Sequence, residues 1–304
     1  MDEVGIDKVD SKVLGEYWMS YVGPCWNEYG VCKANMATGI LPPLSGELHN
    51  EEWKHSNGAW ICTEIWASVF PGDPESAIRY TFEDACVDHG FGEGSYAAIF
   101  VAAMESAAFI IDDIHTLIRI GLSKIPTDCR IARSVRIVLD GHKQGLDWKT
   151  VREQLVEDSA DLGWFQAPAN VAFAILGLLF GGCDFKKSMI LAINCGDDTD
   201  CTGATVGALL GIMKGTAGIP EDWRQYIGDN IATIAIIRGT GYFPSTCAQL
   251  TQCVMNLIPT ANRTDNWSVI RGETKMELTD GPDDFSEVTP EAFLGSAFVD
   301  HMFQ

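Results

Sequence analysis

The strongest constraint on the fold is a succession of apolar segments whose spacing suits helices. Residues 94–122 carry apolar side chains at helical spacing, and residues 168–182, PANVAFAILGLLFGG, are apolar on nearly every side of a helix. No stretch shows the alternation of apolar and polar residues that indicates a half-buried strand. The sequence therefore predicts an all-α protein in which the helix over 168–182 is central.

Further helices are predicted from the same kind of spacing, and Pro, Gly, Asn and His predict a loop over 41–58. These helices cover residues 12–40 (as one or two helices), 59–70, 74–90, 127–145, 147–160 and 222–237.

The segment 194–202, NCGDDTDCT, holds three carboxylates in four positions between apolar runs. Repulsion between such carboxylates is costly unless a cation lies among them, and hard cations such as Mg²⁺ take oxygen ligands. The alternative is helix capping, for which one Asp is enough. The spacing favours a cation site in which Asp198 and Asp200 reach one ion while Asp197 points away.

The helix predicted after this segment carries Gly203, Gly207, Gly211 and Gly215 at intervals of four residues. Residues at that interval share one face of a helix, so the glycines leave this face bare. We expect the bare face to let another helix approach closely, or to let a ligand approach the backbone.

Three other segments are candidates for ligand contacts. In HSNGAW (55–60), Asn-Gly is first a turn signal, but small residues before a helix can also hold a phosphate with their N–H groups. His89, in VDHG, either caps a helix end or lines a pocket. In GWFQAPAN (163–170), aromatic side chains before a proline are more typical of a core than of a ligand platform.

Charge and cysteine content exclude several classes of function. Lys and Arg number 21 against 42 Asp and Glu, a formal net charge of −21, which argues against a nucleic-acid or anionic membrane surface as partner. No apolar run reaches the ~20 residues that span a bilayer, and the acidic N-terminus is unlike a targeting peptide. The ten cysteines include no C-x-x-C pair, so we expect reduced thiols, no zinc site and a cytoplasmic location.

Four segments taken together resemble the ADP-ribosylglycohydrolase family. The resemblance implies a single all-α, orthogonal multi-helix domain, here over residues 12–258. The polar and acidic composition that follows predicts a C-terminal extension at 259–304. The resemblance also implies two Mg²⁺ ions in a cleft between helices. The segments, in the family's order, are SNGAWICTEIWA (56–67), PGDPESAIRYTFEDACVDHG (71–90), APANVAFAILGLL (167–179) and NCGDDTDCTGATVGALLGI (194–212).

The same resemblance implies roles for individual residues. Asp198 and Asp200 would bind the metal, with Asp197 and Thr202 as further candidate ligands. No residue is identified as the catalytic base. The residues expected to contact ADP-ribose, including its phosphates, are Ser56, Asn57, Gly58, Ala59, Trp60, His89 and Gly196.

The sequence departs from the family pattern in three places. Cys201 occupies a position that is usually Thr or Ser, and a thiol is a soft ligand poorly matched to Mg²⁺, so its neighbour Thr202 is the expected substitute. Cys62 stands where an Arg often follows the Asn-Gly loop. The family's N-terminal helix, glutamate lid and Asp-Asp element have no counterpart upstream of residue 12. We therefore expect half of the metal site. Either the part that supplies the other half has been lost, or another segment replaces it, and the acidic loop 46–53 is the only nearby candidate.

We expect a hydrolase that releases ADP-ribose, by Mg²⁺-dependent cleavage at C1″ of the ribose, from an ADP-ribosylated protein or a small ADP-ribose conjugate. Two alternatives stay open. The chain could bind ADP-ribose or a nucleotide without turnover, or it could be a structural protein, as related crystallin-like domains are. The last alternative needs neither a metal nor a ligand.

Overall fold

Fourteen α-helices account for most of the residues that the computed structural model describes, which are 1, 3–23, 27–232 and 243–261. These residues contain no strand, only isolated bridges, so the all-α prediction is confirmed. None of their helices is long and apolar enough to cross a bilayer. The helices are α1 Ser11–Tyr21, α2 Asn27–Ala37, α3 Leu44–Glu47, α4 Thr63–Val69, α5 Pro74–Asp88, α6 Glu93–Ala108, α7 Ile114–Leu122, α8 Arg130–Lys143, α9 Trp148–Asp158, α10 Ala167–Phe180, α11 Phe185–Asn194, α12 Thr199–Lys214, α13 Glu221–Ile227 and α14 Cys247–Ala261.

α10 lies at the centre of the fold, as its apolar sequence predicts. Every residue from Ala167 to Leu179 is buried, and the helix packs against α6, α8, α11 and α12. α6 is almost as deeply buried, and it contacts α4, α5 and α7 on its other side. Each large apolar side chain buried in this core, such as Phe100 or Phe173, stabilises the fold by roughly 1.5–3 kcal/mol. The core therefore gives the loops that precede α10 and α12 a rigid base.

A close helix approach occurs on α10. A Cβ at Gly177 would lie only 2.6 Å from the carbonyl oxygen of Ser188 on α11. At Gly203 and Gly207 a Cβ would be at least 3.4 Å from the side chains of α11, and at Gly211 it would meet nothing within 4 Å. α11 therefore packs against Gly203 and Gly207, although a Cβ would fit at both positions, and approach of a ligand to this face stays a prediction.

The single helix predicted over 94–122 is wrong, because the chain forms two helices there. α6 ends at Ala108, and α7 begins after Asp113, whose carboxylate accepts a hydrogen bond from the N–H of Thr116 at 2.8 Å. An Asp in the N-cap position satisfies a backbone donor at the helix start. Apolar spacing alone does not reveal this new start, because it continues through the break.

Four further helices differ from the sequence prediction. α3 lies within the predicted loop 41–58, and the sequence patterns do not predict α11 or α14. α13 ends at Ile227, before Gly228, whose φ of 74° is readily adopted by glycine, so the helix predicted over 222–237 stops early. Residues 233–242, and the part of the predicted C-terminal extension beyond Ala261, lie outside the described residues. The domain limits stay predictions.

Candidate functional site

Two segments that are distant in sequence form one wall of the candidate site. They are the start of the 3₁₀ helix Asn57–Cys62 and the loop before α10. The N–H of Asn57 donates to the carbonyl oxygen of Phe165 at 3.2 Å, and the N–H of Ala167 donates to that of His55 at 3.0 Å. These backbone bonds fix the two segments side by side, with the start of α12 against them.

Asp198 is the N-cap residue of α12, but its side chain does not cap the helix. Its carboxylate instead accepts a hydrogen bond from Nδ2 of Asn57 at 2.7 Å, and the residue is 8% exposed. Trp60 Nε1 donates to Oδ1 of the same Asn57 at 3.1 Å, which fixes the orientation of the amide. Capping therefore does not account for Asp198, whose carboxylate is held in a set position near the positive end of the helix dipole.

Asn170 on α10 holds the turn that carries the aspartates. Its Oδ1 accepts from the N–H of Asp198 at 3.2 Å, and its Nδ2 donates to Oδ2 of Asp197 at 3.1 Å. The other oxygen of Asp197 accepts from the N–H of Phe165 at 3.0 Å. Gly196 (φ 86°) and Asp197 (φ 59°) both have left-handed backbone conformations, so the turn is tight. Sequence reasoning missed Asn170, although a polar residue within an apolar helix is a usable signal.

One group of side chains in the described residues could hold a metal ion: Asp198, Asp200 and Cys201, which we name the aspartate cluster. Their candidate ligand atoms lie within 4.8 Å of one another. Burial raises the pKa of Asp198, and Asp200 adds to this rise, whereas hydrogen bonds from Cys201 and Asn57 oppose it. Burial and the two aspartates raise the pKa of the Cys201 thiol far above its usual value. The cluster therefore offers carboxyl oxygens and a thiol that resists ionisation.

Thr202, the expected substitute for Cys201, is fully buried in the first turn of α12. Its hydroxyl lies 3.2 Å from the carbonyl oxygen of Asp198 and 3.1 Å from that of Thr199, and donates to these backbone groups. The side chain thus stabilises the start of the helix. The assignment of Thr202 as a metal ligand, like that of Asp197, stays a prediction.

The aspartate cluster suits one hydrated, hard cation. Mg²⁺ usually binds one or two carboxylates and keeps several waters. Asp198 is buried and fixed, whereas Asp200 is exposed, so one side of the cluster is open to water. The neutral thiol of Cys201 contributes little to such a site, because thiols prefer softer ions. No second group of this kind occurs among the described residues.

The segment predicted to hold phosphate, Ser56–Trp60, is buried. The N–H of Ser56 donates to the carbonyl oxygen of Trp53 at 2.8 Å, and that of Asn57 is bonded to Phe165. A phosphate would have to compete with these two bonds or use the amides that follow. The structure therefore shows this segment buried and in contact with Asp198 through Asn57. Its contact with a ligand stays a prediction.

His89 lies beneath this segment in a buried, hydrogen-bonded chain. Its Nδ1 is 2.8 Å from Oδ1 of Asp88, and its Nε2 is 3.0 Å from Oγ of Ser56. Burial lowers the pKa of His89, but Asp88 and then Glu28 oppose this, and the net effect is a pKa above the usual value. His89 is 0% exposed and both ring nitrogens are occupied, so any effect on a ligand would pass through Ser56.

Glu28, on α2, is a carboxylate that sequence reasoning missed. The residue is 1% exposed, and its Oε2 has no hydrogen-bond partner among the described residues. A Cβ at Gly58 would clash with its Oε1 and would lie 2.9 Å from Cε1 of His89. Burial raises the pKa of Glu28, and the nearby His89 opposes the rise. Gly58 is therefore required where Glu28 and His89 meet the 3₁₀ helix.

Comparison with known proteins gives one match. A model of the family described as ADP-ribosylglycohydrolase matches residues 11–249, which include both wall segments, the aspartate cluster and the His89 chain. No curated protein and no solved structure matches this chain.

Proposed function

This chain belongs to the ADP-ribosylglycohydrolase family, and from that premise we propose that it is a metal-dependent hydrolase that releases ADP-ribose by cleavage at C1″ of the ribose. The observation that carries the proposal is the position of Asp198. A buried carboxylate that does not cap its own helix, and that lies beside a second carboxylate, is costly unless a cation compensates the charge.

We assign the ion as Mg²⁺, held by Asp198 and Asp200. When bound, it would polarise oxygens of the substrate ribose and lower the pKa of a coordinated water. Asn57 orients the Asp198 carboxylate through its amide, and Asn170 fixes the turn through both ends of its side chain. This fixed geometry matters because small displacements of a reacting group cost large factors in rate.

The family suggests the substrate class, and the net charge of the protein restricts how an anionic substrate could be held. ADP-ribose carries a pyrophosphate, yet the protein has a net charge of −21, so it offers no general attraction to anions. The bound cation and local hydrogen-bond donors would have to supply that attraction. We propose ADP-ribosylated protein side chains or small ADP-ribose conjugates as substrates, recognised on the open side of the aspartate cluster.

A second candidate function is binding of ADP-ribose without hydrolysis. The observation that favours it is Cys201, an uncharged thiol inside a cluster that has only two carboxylates. A site of this kind can retain a weakly held ion and a ligand while it stabilises a transition state poorly.

The first experiment is a thermal melt with and without Mg²⁺. A ligand at about 100 times its Kd adds about 2.7 kcal/mol of stability, which is roughly 5–10 °C for a domain of this size. We expect Mg²⁺ to raise the melting temperature of the wild type, and Asp198→Ala to abolish the shift. Asp222→Ala, which removes an exposed aspartate on α13, is the matched control and should respond to Mg²⁺ like the wild type.

The second experiment separates the two candidate functions. With Mg²⁺ present, free ADP-ribose should raise the melting temperature further under either function. Release of ADP-ribose from a modified peptide is expected only for the hydrolase. Equal responses of wild type and Asp198→Ala to Mg²⁺ would contradict the metal assignment, and no response to either ligand would leave a structural role.

A further inference from the structure

A second set of carboxyl groups lies at the other end of the 3₁₀ helix, in a cavity of about 640 Å³ between α4 and α14. We name it the carboxyl cavity, and its polar groups are Glu64, Asp84, Cys62 and two hydroxyls. We propose that the carboxyl cavity binds an organic cation, a primary or secondary amine attached to an apolar body. This proposal does not depend on the function proposed for the aspartate cluster.

The size and walls of the cavity suit a small molecule with an apolar body. Ligand pockets commonly measure about 300–1,000 Å³ and are lined mainly by apolar side chains with a few polar groups. Here Val254, Met255 and Ile258 of α14 face Ile65 of α4, and Phe109 adds an aromatic wall. An apolar ligand would bury these side chains, several of which are now partly exposed.

The charges of the cavity all have one sign. Glu64 and Asp84 line the cavity, and none of its described lining residues is Lys, Arg or His. Trp66 Nε1 donates to Oδ2 of Asp84 at 2.9 Å, which is a neutral donor and leaves the charge uncompensated. The complement of two carboxylates in an apolar cavity is a cation that also carries hydrogen-bond donors, and an ammonium group has both properties.

Glu105 adds a third carboxyl group behind Glu64. It is 0% exposed, and neither of its carboxylate oxygens has a hydrogen-bond partner among the described residues. Thr63 is close to it, but the Thr63 hydroxyl donates to the carbonyl oxygen of Trp60 at 3.0 Å. Burial and Glu64 raise the pKa of Glu105 well above its usual value. Glu105 is thus a third carboxyl group that is costly to ionise, next to Glu64.

The same surroundings act on the two carboxyl groups that line the cavity. Burial raises the pKa of Glu64 to about 7 and that of Asp84 to about 7. Carboxyl groups that are costly to ionise gain most from a bound cation, because the cation restores the interactions that burial removed.

A metal ion is a poorer occupant than an amine. Mg²⁺ and Ca²⁺ need six or more oxygen ligands or a retained water shell, and most of this wall is apolar. Among the described residues, the one group with metal-ligand spacing is the aspartate cluster, not the carboxyl cavity. An alkylamine needs one polar anchor and an apolar surface, which is what this cavity presents.

The test measures binding of dansylcadaverine, an alkylamine with an environment-sensitive fluorophore, to the full chain. Its N-acetylated form has the same apolar body without the charge and serves as the matched ligand. We expect the amine to bind about tenfold more tightly than the acetylated form, which corresponds to one charge-assisted contact. The double variant Glu64→Gln/Asp84→Asn should remove this preference.

A second variant tests the proposal by filling the cavity with a lysine side chain. Cys62 lines it and faces Asp84 and Glu64, so Cys62→Lys would place a tethered ammonium among the carboxylates and should abolish dansylcadaverine binding. Cys183→Lys, at a partly buried cysteine distant in sequence, is the matched control and should bind like the wild type. Circular dichroism and a thermal melt establish that each variant is folded.

Three results would overturn the proposal. The first is that the amine does not bind to the wild type. The second is that the amine and its acetylated form bind equally well. The third is that Cys62→Lys leaves binding of the amine unchanged. The metal assignment would survive any of them, since it is tested by Mg²⁺ and Asp198→Ala.

Discussion

The aspartate cluster and the carboxyl cavity lie at opposite ends of one 3₁₀ helix, yet their surroundings differ. At the first end, Asn57 and Asn170 bond the turn that carries the aspartates, and Asp200 is open to water. At the other end, Cys62 faces carboxyl groups among apolar side chains, and the Trp66 indole donates to Asp84. Carboxyl groups are thus held beside amide donors at one end and among mostly apolar side chains at the other.

Under the two proposals, the neighbouring groups decide which cation each set of carboxyl groups accepts. A hydrated divalent ion keeps its waters beside an exposed carboxylate and gains from a second, fixed one. An organic ammonium gains from apolar walls that would exclude those waters. We therefore expect perturbations at the two ends to have separate effects on metal and amine binding, and the following predictions test that separation.

The largest effect is expected from Gly58→Ala, in the segment between the two groups. The added Cβ would clash with the Glu28 carboxylate and lie 2.9 Å from Cε1 of His89, both of which are buried. Overpacking of this kind costs roughly 3 kcal/mol, or a melting temperature lower by about 10 °C.

The matched control for Gly58→Ala is Gly211→Ala on α12, where a Cβ meets nothing within 4 Å. That change should stabilise the helix by up to about 1 kcal/mol, because alanine has the higher helix propensity. Equal melting temperatures for the two variants would show that Glu28 and His89 do not pack against the 3₁₀ helix as described.

The general fold is accessible from sequence, because helical spacing is local. The burial of α10 and the close spacing of Asp198 and Asp200, which suggests a cation site, can both be recognised from local sequence patterns. The break between α6 and α7 is not visible, because the N-cap Asp113 interrupts a pattern that remains apolar on both sides.

The contacts that define the candidate site are much harder to predict. Asn57 and Asp198 are 141 positions apart, and Glu28 reaches Gly58 from another helix. Asn170, Glu28 and Asp88 owe their roles to such tertiary contacts, and none has a local signature beyond a polar residue type. The carboxyl cavity likewise needs α14, which the sequence patterns do not predict.

A smaller effect is expected from Cys201→Ser in the aspartate cluster. A hydroxyl is a harder donor than an uncharged thiol, so affinity for Mg²⁺ should rise by about tenfold and affinity for Cd²⁺ should fall. Isothermal titration calorimetry measures both. Cys195→Ser is the matched control, because that thiol donates to the carbonyl oxygen of Leu191 and is not part of the cluster. Unchanged affinities in Cys201→Ser would remove residue 201 from the metal site.

The smallest effect concerns the pH dependence that Glu64 gives to stability. Its pKa is raised from 4.5 to about 7 by burial, so the folded state binds more protons than the unfolded state between these values. Glu64 therefore contributes stability that is fully present below pH 4.5 and is lost as the pH rises through 7. The contribution is on the order of 1 kcal/mol, because the side chain is partly exposed and water screens its charge.

Glu64→Gln should accordingly flatten the fall in melting temperature between pH 5 and pH 8, and the variant should gain on the wild type at the higher pH. Glu75→Gln, which removes an exposed carboxylate beside Lys124, reports the effect of losing one surface charge. Addition of Mg²⁺ should leave the difference between wild type and Glu64→Gln unchanged, because the proposed Mg²⁺ site lies at the other end of the 3₁₀ helix. A difference that disappears in Mg²⁺ would mean that the two groups of carboxylates share one cation, and the contrast between them would fail.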